Sequence, residues 1–237
     1  MSNFSLYPHN KESYEKIKEG FKTSNIVGIV HATGTGKSFN ALEYVSDNTD
    51  ENILYVVPSL GIIEHLKNII AKSGFVLEKD FPNLKFCTYM SFVNLSREEL
   101  KNIKVDTLIL DEFHHLGAPV WGARINTLIE THSNIKVLGM TAYTVRDRNT
   151  PYERDMANPD TDELFSSHIV SRYDLCDAMV DGVLPKPIYK TAYVTLIEDI
   201  DYLEKRLAKL DHNSSKYIDC EKVLRDVKRQ IANALIM

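Results

Sequence analysis

A chain of 237 residues with 43% hydrophobic content can bury a substantial core, as one large domain or as one domain carrying a smaller helical appendage. A formal net charge of −5 excludes a surface that tracks a phosphate backbone on all sides, although a local basic groove can sit inside an acidic total. Cys87, Cys176 and Cys220 lie far apart without C-x-x-C spacing, which argues against a disulfide framework or zinc site and for a reducing, cytoplasmic setting.

In chain order, the first apolar run is NIVGIV (25–30), a strand followed at once by the glycine-bearing HATGTGKS and then by FNALEYV at helical spacing. NILYVVP (52–58) reads as a second strand and GIIEHLKNIIAK as a helix, with Ile62, Ile63, Leu66, Ile69 and Ile70 on one face. KFCTYMSF (85–92) reads as a third strand, and Ser96 with Glu99 three residues on is a capping box that starts a helix. VDTLILD (105–111), IKVLGMTA (135–142) and HIVSRY (168–173) complete the strands. This alternation implies crossover connections and a mostly parallel sheet with helices on both faces, an α/β fold whose binding sites gather at the carboxyl ends of the strands. Beyond VDGVLPKPIYKTAYVT the strands stop. Ile197, Ile200, Leu203, Leu207 and Leu210 form one helical stripe and Leu224, Val227, Ile231 and Leu235 a second. The chain ends on the apolar NALIM, which suggests a longer protein whose remainder covers that surface. No stretch approaches the ~18 uncharged apolar residues of a membrane span.

The strand–loop–helix context of HATGTGKS is that of a phosphate-binding P-loop. Gly34 and Gly36 permit backbone angles closed to other residues, so the N–H groups of Thr33, Gly34, Thr35 and Gly36 can converge on a β-phosphate at a helix N-terminus. Lys37 would reach the β- and γ-phosphates and the Ser38 hydroxyl would sit on Mg²⁺. The strict pattern wants glycine where this chain has His31. A glycine-rich turn that merely precedes a lysine is the alternative reading.

LILDEFHH (108–115) is the second constellation. Apolar residues running into adjacent carboxylates describe a buried strand delivering its acids at the sheet edge where the P-loop opens. Asp111 would hold Mg²⁺ through its water shell and Glu112 would orient or deprotonate the attacking water. Taken alone, the two acids could equally be a solvated strand end. His114 and His115 lack cysteine partners and read as a coupling residue and a packed or solvated neighbour.

ATGTGKS together with DEFH resembles motifs I and II of superfamily 2 helicases, the DEAD/DEAH-box-like enzymes, with phenylalanine for the alanine of DEAH. LYPHN (6–10) is similar to the L-R-P-Y-Q stretch ahead of motif I, which implies that Asn10 reads the adenine. ILYVVPS resembles motif Ia and FCTYMSF motif Ib, implying nucleic-acid contacts from Pro58, Ser59, Thr88 and Tyr89. GMTAYTVRD resembles the G-L-T-A-T-P-x-R stretch of motif III: Thr141, Ala142 and Arg146 match, Tyr143 and Thr144 do not. DELF and DLCDAMVDGVLPKPIY look like the tail of the first motor domain in relatives of type III restriction enzyme helicase subunits.

The resemblance implies a RecA-like ATP-binding domain over residues 1–192 and a helical extension over 193–237 leading to a second motor domain in cis. It implies ATP and Mg²⁺ as ligands, Lys37, Asp111, Glu112 and His114 as catalytic residues, and Thr141, Ala142 and Arg146 as coupling residues. The motif III strand is expected between the P-loop strand and the DEFH strand. The expected partner is nucleic acid, with DNA favoured by the likeness to restriction-type motors. The arginine finger of motif VI is expected on the second domain, so the chain alone should hydrolyse ATP poorly. A P-loop ATPase that remodels protein partners and an ATP-binding domain that does not hydrolyse remain alternatives; gel shifts with DNA and the effect of Glu112→Gln separate them.

Overall fold

Each apolar run read as a strand forms one in the computed structural model, which describes residues 4–117, 119–142, 164–186, 196–212 and 214–234. Two units arise, Met1–Lys186 and Pro187–Met237. In the first, α1 (Pro8–Thr23) leads into β1 (Ile26–His31), the glycine loop and α2 (Lys37–Asp47). Then come β2 (Ile53–Val57), α3 (Leu60–Lys72), the short α4 (Leu77–Asp80) and β3 (Leu84–Thr88). Next in order are α5 (Tyr89–Val93), α6 (Arg97–Asn102), β4 (Thr107–Asp111), a 3₁₀ turn (Phe113–Gly117) and α7 (Pro119–Thr131). β5 (Lys136–Thr141), β6 (Ile169–Tyr173) and α8 (Leu175–Val180) complete this unit.

The six strands form one sheet in the order β3-β2-β4-β5-β1-β6, every pairing parallel. β5, with the motif III residues, lies between β1 and β4 as expected, which sets Thr141 opposite Val30 and Met140 opposite Asp111.

Parallel strands covered on both faces read as continuous apolar runs, and here they divide by alternate residues between two cores. Ile53, Tyr55 and Val57 join Val27, Ile29, Ile109, Leu138 and Met140 beneath α1, α2 and α3. Leu54, Val56, Leu108, Leu110 and Val137 pack on the other face against Phe92, Leu100, Ile125, Leu128 and Phe165. Gly139 is required there: a Cβ would come within 2.4 Å of the Phe165 ring. The Ser96 capping box forms as expected, with Ser96 Oγ accepting from Glu99 N and Glu99 accepting from Ser96 N.

One element differs from the sequence reading. The run KFCTYMSF does not remain a strand: β3 ends at Thr88, whose hydroxyl accepts from Ser91 N and caps α5. In the second unit α9 (Leu196–Leu207) and α10 (Ser215–Ala234) pack together, Cys220 Sγ lying 3.9 Å from the Leu203 carbonyl and Lys228 pairing with Glu204 at 2.7 Å. Among the described residues no helix is long and apolar enough to cross a membrane.

Candidate active site

The loop between β1 and α2 owes its shape to two left-handed glycines, Gly34 at φ 84° and Gly36 at φ 87°. Gly36 is also the N-cap of α2, so the free N–H groups of that helix open into the loop. Thr33 and Gly34 are exposed, while Thr35 is buried and closes the turn by donating its hydroxyl to the Ala32 carbonyl at 2.7 Å. Lys37 and Ser38 are the first two residues of the helix. The Lys37 ammonium is buried and donates to the His31 carbonyl at 3.0 Å and to that of Ala32 at 3.5 Å, both at the loop root. Burial pushes its pKa down, against the opposing charges of Glu112 and Asp111. The lysine and the two carboxylates therefore share one site.

His31, in the position where the strict pattern has glycine, is the last residue of β1. Its ring lies inward, Nε2 within 3.3 Å of Ser13 Oγ and 3.0 Å of Ser171 Oγ. Burial, then the charge of Lys37, lowers its pKa to about 3 and keeps the imidazole neutral. Strand backbone needs no glycine, which is why a bulkier residue is accepted here.

Asn10 does not face outward to meet a base. It is fully buried beneath the loop, and its Nδ2 donates to the Thr35 carbonyl at 3.0 Å. The same carbonyl accepts from His9 Nε2 at 2.7 Å, and the His9 ring stacks on Tyr173 at 4.4 Å. In this structure the Nδ2 of Asn10 supports the loop, while its Oδ1 is buried without a partner among the described residues. A Cβ on Gly36 would lie 2.6 Å from Asn10 Nδ2, so glycine is demanded there by packing as well as by φ. His9 was not singled out from the sequence; its place directly before Asn10 was the available signal.

Asp111 ends β4, 7% exposed. Burial, reinforced by Glu112 and opposed by Lys37, raises its pKa to about 6. Glu112 has φ 51°, the one non-glycine residue with positive φ among those described. Such a conformation costs on the order of 1–3 kcal/mol and persists only where surroundings fix it. Here they do. His115 N donates to the Glu112 carbonyl at 3.0 Å, and the carboxylate accepts from the Thr141 hydroxyl at 3.3 Å and from Ala142 N at 3.4 Å. Burial pushes the Glu112 pKa up, but the hydrogen bond from His114 and the charge of Lys37 outweigh it and leave it below the usual range. His114 Nδ1 lies 3.2 Å from Glu112 Oε2 and 2.7 Å from Thr141 Oγ1, linking the DEFH turn to the end of β5. Arg146, the third coupling residue expected, lies outside the described residues, as do Tyr143 and Thr144.

Of the four residues expected at a nucleic-acid face, Pro58 is half-buried and Ser59 exposed, at the carboxyl end of β2. Thr88 and Tyr89 are turned inward. Thr88 is occupied as a helix cap, and Tyr89 is 1% exposed with its hydroxyl on the Asp111 carbonyl at 3.0 Å. A ring so enclosed cannot stack on a base or touch a backbone.

The donor set fits a magnesium-charged phosphate: a lysine, a helix-capping glycine loop, a serine hydroxyl and one carboxylate. Among the described residues no group of three His, Cys, Asp or Glu side chains could hold a metal by itself.

The raised Asp111 pKa has a testable consequence. Between about pH 4 and 6 the folded chain holds this proton more tightly than the unfolded one, so stability falls as pH rises through that window and stays low above it. The ionised form costs about 3 kcal/mol above pH 6. Asp111→Asn is therefore expected to raise the melting temperature at pH 7.5 by about 5–10 °C, to keep roughly a third of that advantage near pH 4.5 and to lose it below about pH 3.8. Neutral His31 acts in the opposite sense, but it is common to both proteins and cancels in the difference between their melting curves.

Residues 3–146 match the family described as Type III restriction enzyme, res subunit. No curated protein matches the chain. The ATP-dependent Type ISP restriction-modification enzyme LlaBIII bound to DNA is similar over 76% of this chain, with 18% identity and a TM-score of 0.53. A nuclease-deletion mutant of the Type ISP enzyme LlaGI with a DNA substrate mimic is similar over 87%, with 17% identity and a TM-score of 0.54. The Sulfolobus solfataricus SWI2/SNF2 ATPase core in complex with dsDNA is similar over 95%, with 12% identity and a TM-score of 0.51. At these identities the structures show a shared fold, and the chain spans 16%, 23% and 58% of their lengths. The family match, by contrast, extends over more than half of the chain and contains both the glycine loop and the DEFH turn. The chain belongs to the type III restriction enzyme res-subunit family, with the RecA-like N-terminal fold of superfamily 2 helicases.

Proposed function

We propose that this chain is the ATP-binding and ATP-hydrolysing first motor domain of a cytoplasmic helicase or translocase that moves on DNA. The observation carrying the proposal is the convergence of Lys37, Asp111 and Glu112 at the carboxyl ends of neighbouring parallel strands, with Thr141 and His114 joined to the same carboxylate. Residues Thr33 to Gly36 cradle the phosphates through backbone N–H groups, and Lys37 leaves the loop carbonyls for the β- and γ-phosphates. Ser38 and Asp111 would hold Mg²⁺, which when bound neutralises charge on the β- and γ-phosphate oxygens. Glu112, kept ionised, orients the attacking water and draws its proton. Thr141, with Ala142 and Arg146, passes the state of the γ-phosphate to the rest of the domain.

DNA as the track is supported by family membership and by the DNA-bound state of three solved structures with this fold. Pro58 and Ser59, at the carboxyl end of β2, would meet it. We take residues 1–192 as the motor domain and 193–237 as the lead into a second RecA-like domain in cis, which supplies the arginine finger.

The test is steady-state ATP hydrolysis by this chain, with and without DNA, beside a longer chain carrying a second RecA-like domain. The chain alone is expected to bind Mg²⁺–ATP and to turn over at least about a thousandfold more slowly than the longer one. Brisk, DNA-stimulated hydrolysis by the 237 residues alone would refute the two-domain requirement. Stimulation by a protein partner with no response to DNA would refute the nucleic-acid track.

A further inference from the structure

Tyr89, which the geometry removes from the nucleic-acid face, is placed where it can act on the chemistry. Its hydroxyl donates to the carbonyl of Asp111 at 3.0 Å. That carbonyl belongs to the Asp111–Glu112 peptide, and the tilt of this peptide together with the Glu112 φ of 51° aims the Glu112 carboxylate. Among the described residues the other bonds holding Glu112 come from its own turn or the end of β5. Tyr89 reaches it from the β3–α5 side.

The ring of Tyr89 is as well placed as its hydroxyl. It stacks on Trp121 of α7, 5.1 Å between centroids at 10°, and lies 5.8 Å from His115, whose ring is 5.2 Å from Trp121. The three rings form one packed group linking the DEFH turn to α5 and α7. Thr88, just before Tyr89, is paired in register with Val57, just before Pro58 and Ser59, and Met90, just after, is 62% exposed. Tyr89 therefore lies one residue beneath the surface that Pro58, Ser59 and Met90 present.

We propose that Tyr89 is a positioning residue: through the Asp111 carbonyl it holds Glu112 in its left-handed conformation, and through its ring it couples that conformation to Trp121 and the surface around Pro58. The inference rests on the reading of Glu112 as the residue that orients the attacking water. A shift of the Asp111–Glu112 peptide when the site fills must then displace a buried ring stacked on Trp121, because close-packed groups transmit small displacements.

Trp121 is the only tryptophan of the chain, so its emission reports this link directly. Titration with Mg²⁺ and the slowly hydrolysed analogue ATPγS, with binding measured independently by calorimetry, is expected to change Trp121 emission in the wild-type protein. Tyr89→Phe keeps the ring and removes one hydroxyl. It is expected to bind the analogue within about threefold of wild type, to lose most of the emission change, and to lower the single-turnover rate about tenfold with KM unchanged. An unmoved Trp121 signal with nucleotide bound, or a Tyr89→Phe protein equal to wild type in emission and rate, would overturn the inference and leave the ATPase reading standing. Failure of the analogue to bind the wild-type protein would overturn both. If Tyr89→Phe does not fold, Trp121→Leu cuts the same link at its other end, and a wild-type single-turnover rate in that variant would equally overturn it.

Discussion

Glu112→Gln is expected to leave Mg²⁺–ATP bound and to slow its hydrolysis by roughly 10²–10⁴-fold, the range for removing a positioned general base. The binding half of this result follows from where the charge sits. On the proposed reading phosphates are met by loop N–H groups, Lys37 and the cation; the bound phosphates take over from Glu112 as counter-charge to Lys37, and removing the carboxylate also removes a competitor for its ammonium. The rate half follows from the hydrogen bonds around the carboxylate. Thr141 Oγ1, Ala142 N and His114 hold it ionised and fixed in direction. An amide can accept at one atom only and cannot take a proton, so the same pocket would hold a group of the same shape with no basicity. Equilibrium binding of ATP and single-turnover hydrolysis, measured on the same preparation, check the two halves separately. Equal rates in variant and wild type would mean that the domain binds ATP without hydrolysing it.

The sheet was legible because its strands are buried on both faces. NIVGIV, ILYVV and TLILD read as unbroken apolar runs for the same reason that they fill two cores by alternate residues. The glycine loop and the DEFH turn were legible because their chemistry needs particular residues at particular spacings. What the sequence left open is where the backbone changes course without a glycine or proline to mark it. Between Thr88 and Tyr89 the apolar run continues while the chain passes from strand to helix, and the one local sign, a threonine that can cap, is too common to mark the switch or the inward turn of Tyr89. Glu112 is the same case in sharper form. A left-handed glutamate has no sequence signature, because the conformation is imposed by partners distant in the chain, Tyr89 acting through Asp111 and Thr141 through the side chain. Asn10 shows a third limit: the resemblance fixed its position beside the loop, while only packing against Gly36 decides which way its amide points.

Lys37→Ala is expected to weaken Mg²⁺–ATP binding by about 10–100-fold, the loss of a charge-assisted hydrogen bond or two worth roughly 1.5–3 kcal/mol. The variant should nonetheless fold, and melt no earlier than wild type. Lys37 lies buried with its pKa pushed down by that burial, so its charge is held at a cost which the neighbouring carboxylates partly offset. Removing it leaves the His31 carbonyl without that donor, while the Ala32 carbonyl keeps Thr35 N and Oγ1; the adjoining Thr33 and Gly34 are exposed, so that water can replace the ammonium. The charge balance of the site sharpens the test. With Lys37 gone, Asp111 loses a cation that lowers its pKa, so its carboxyl titrates higher still and the proton competes more strongly with Mg²⁺. The binding deficit of Lys37→Ala is therefore expected to widen as pH falls from 8 toward the Asp111 value of about 6, whereas a lysine that met only phosphate would give a constant deficit over that range. Calorimetric titration of Mg²⁺–ATP into both proteins at three pH values across this interval distinguishes the two, and a deficit that does not vary would place Lys37 out of electrostatic reach of Asp111.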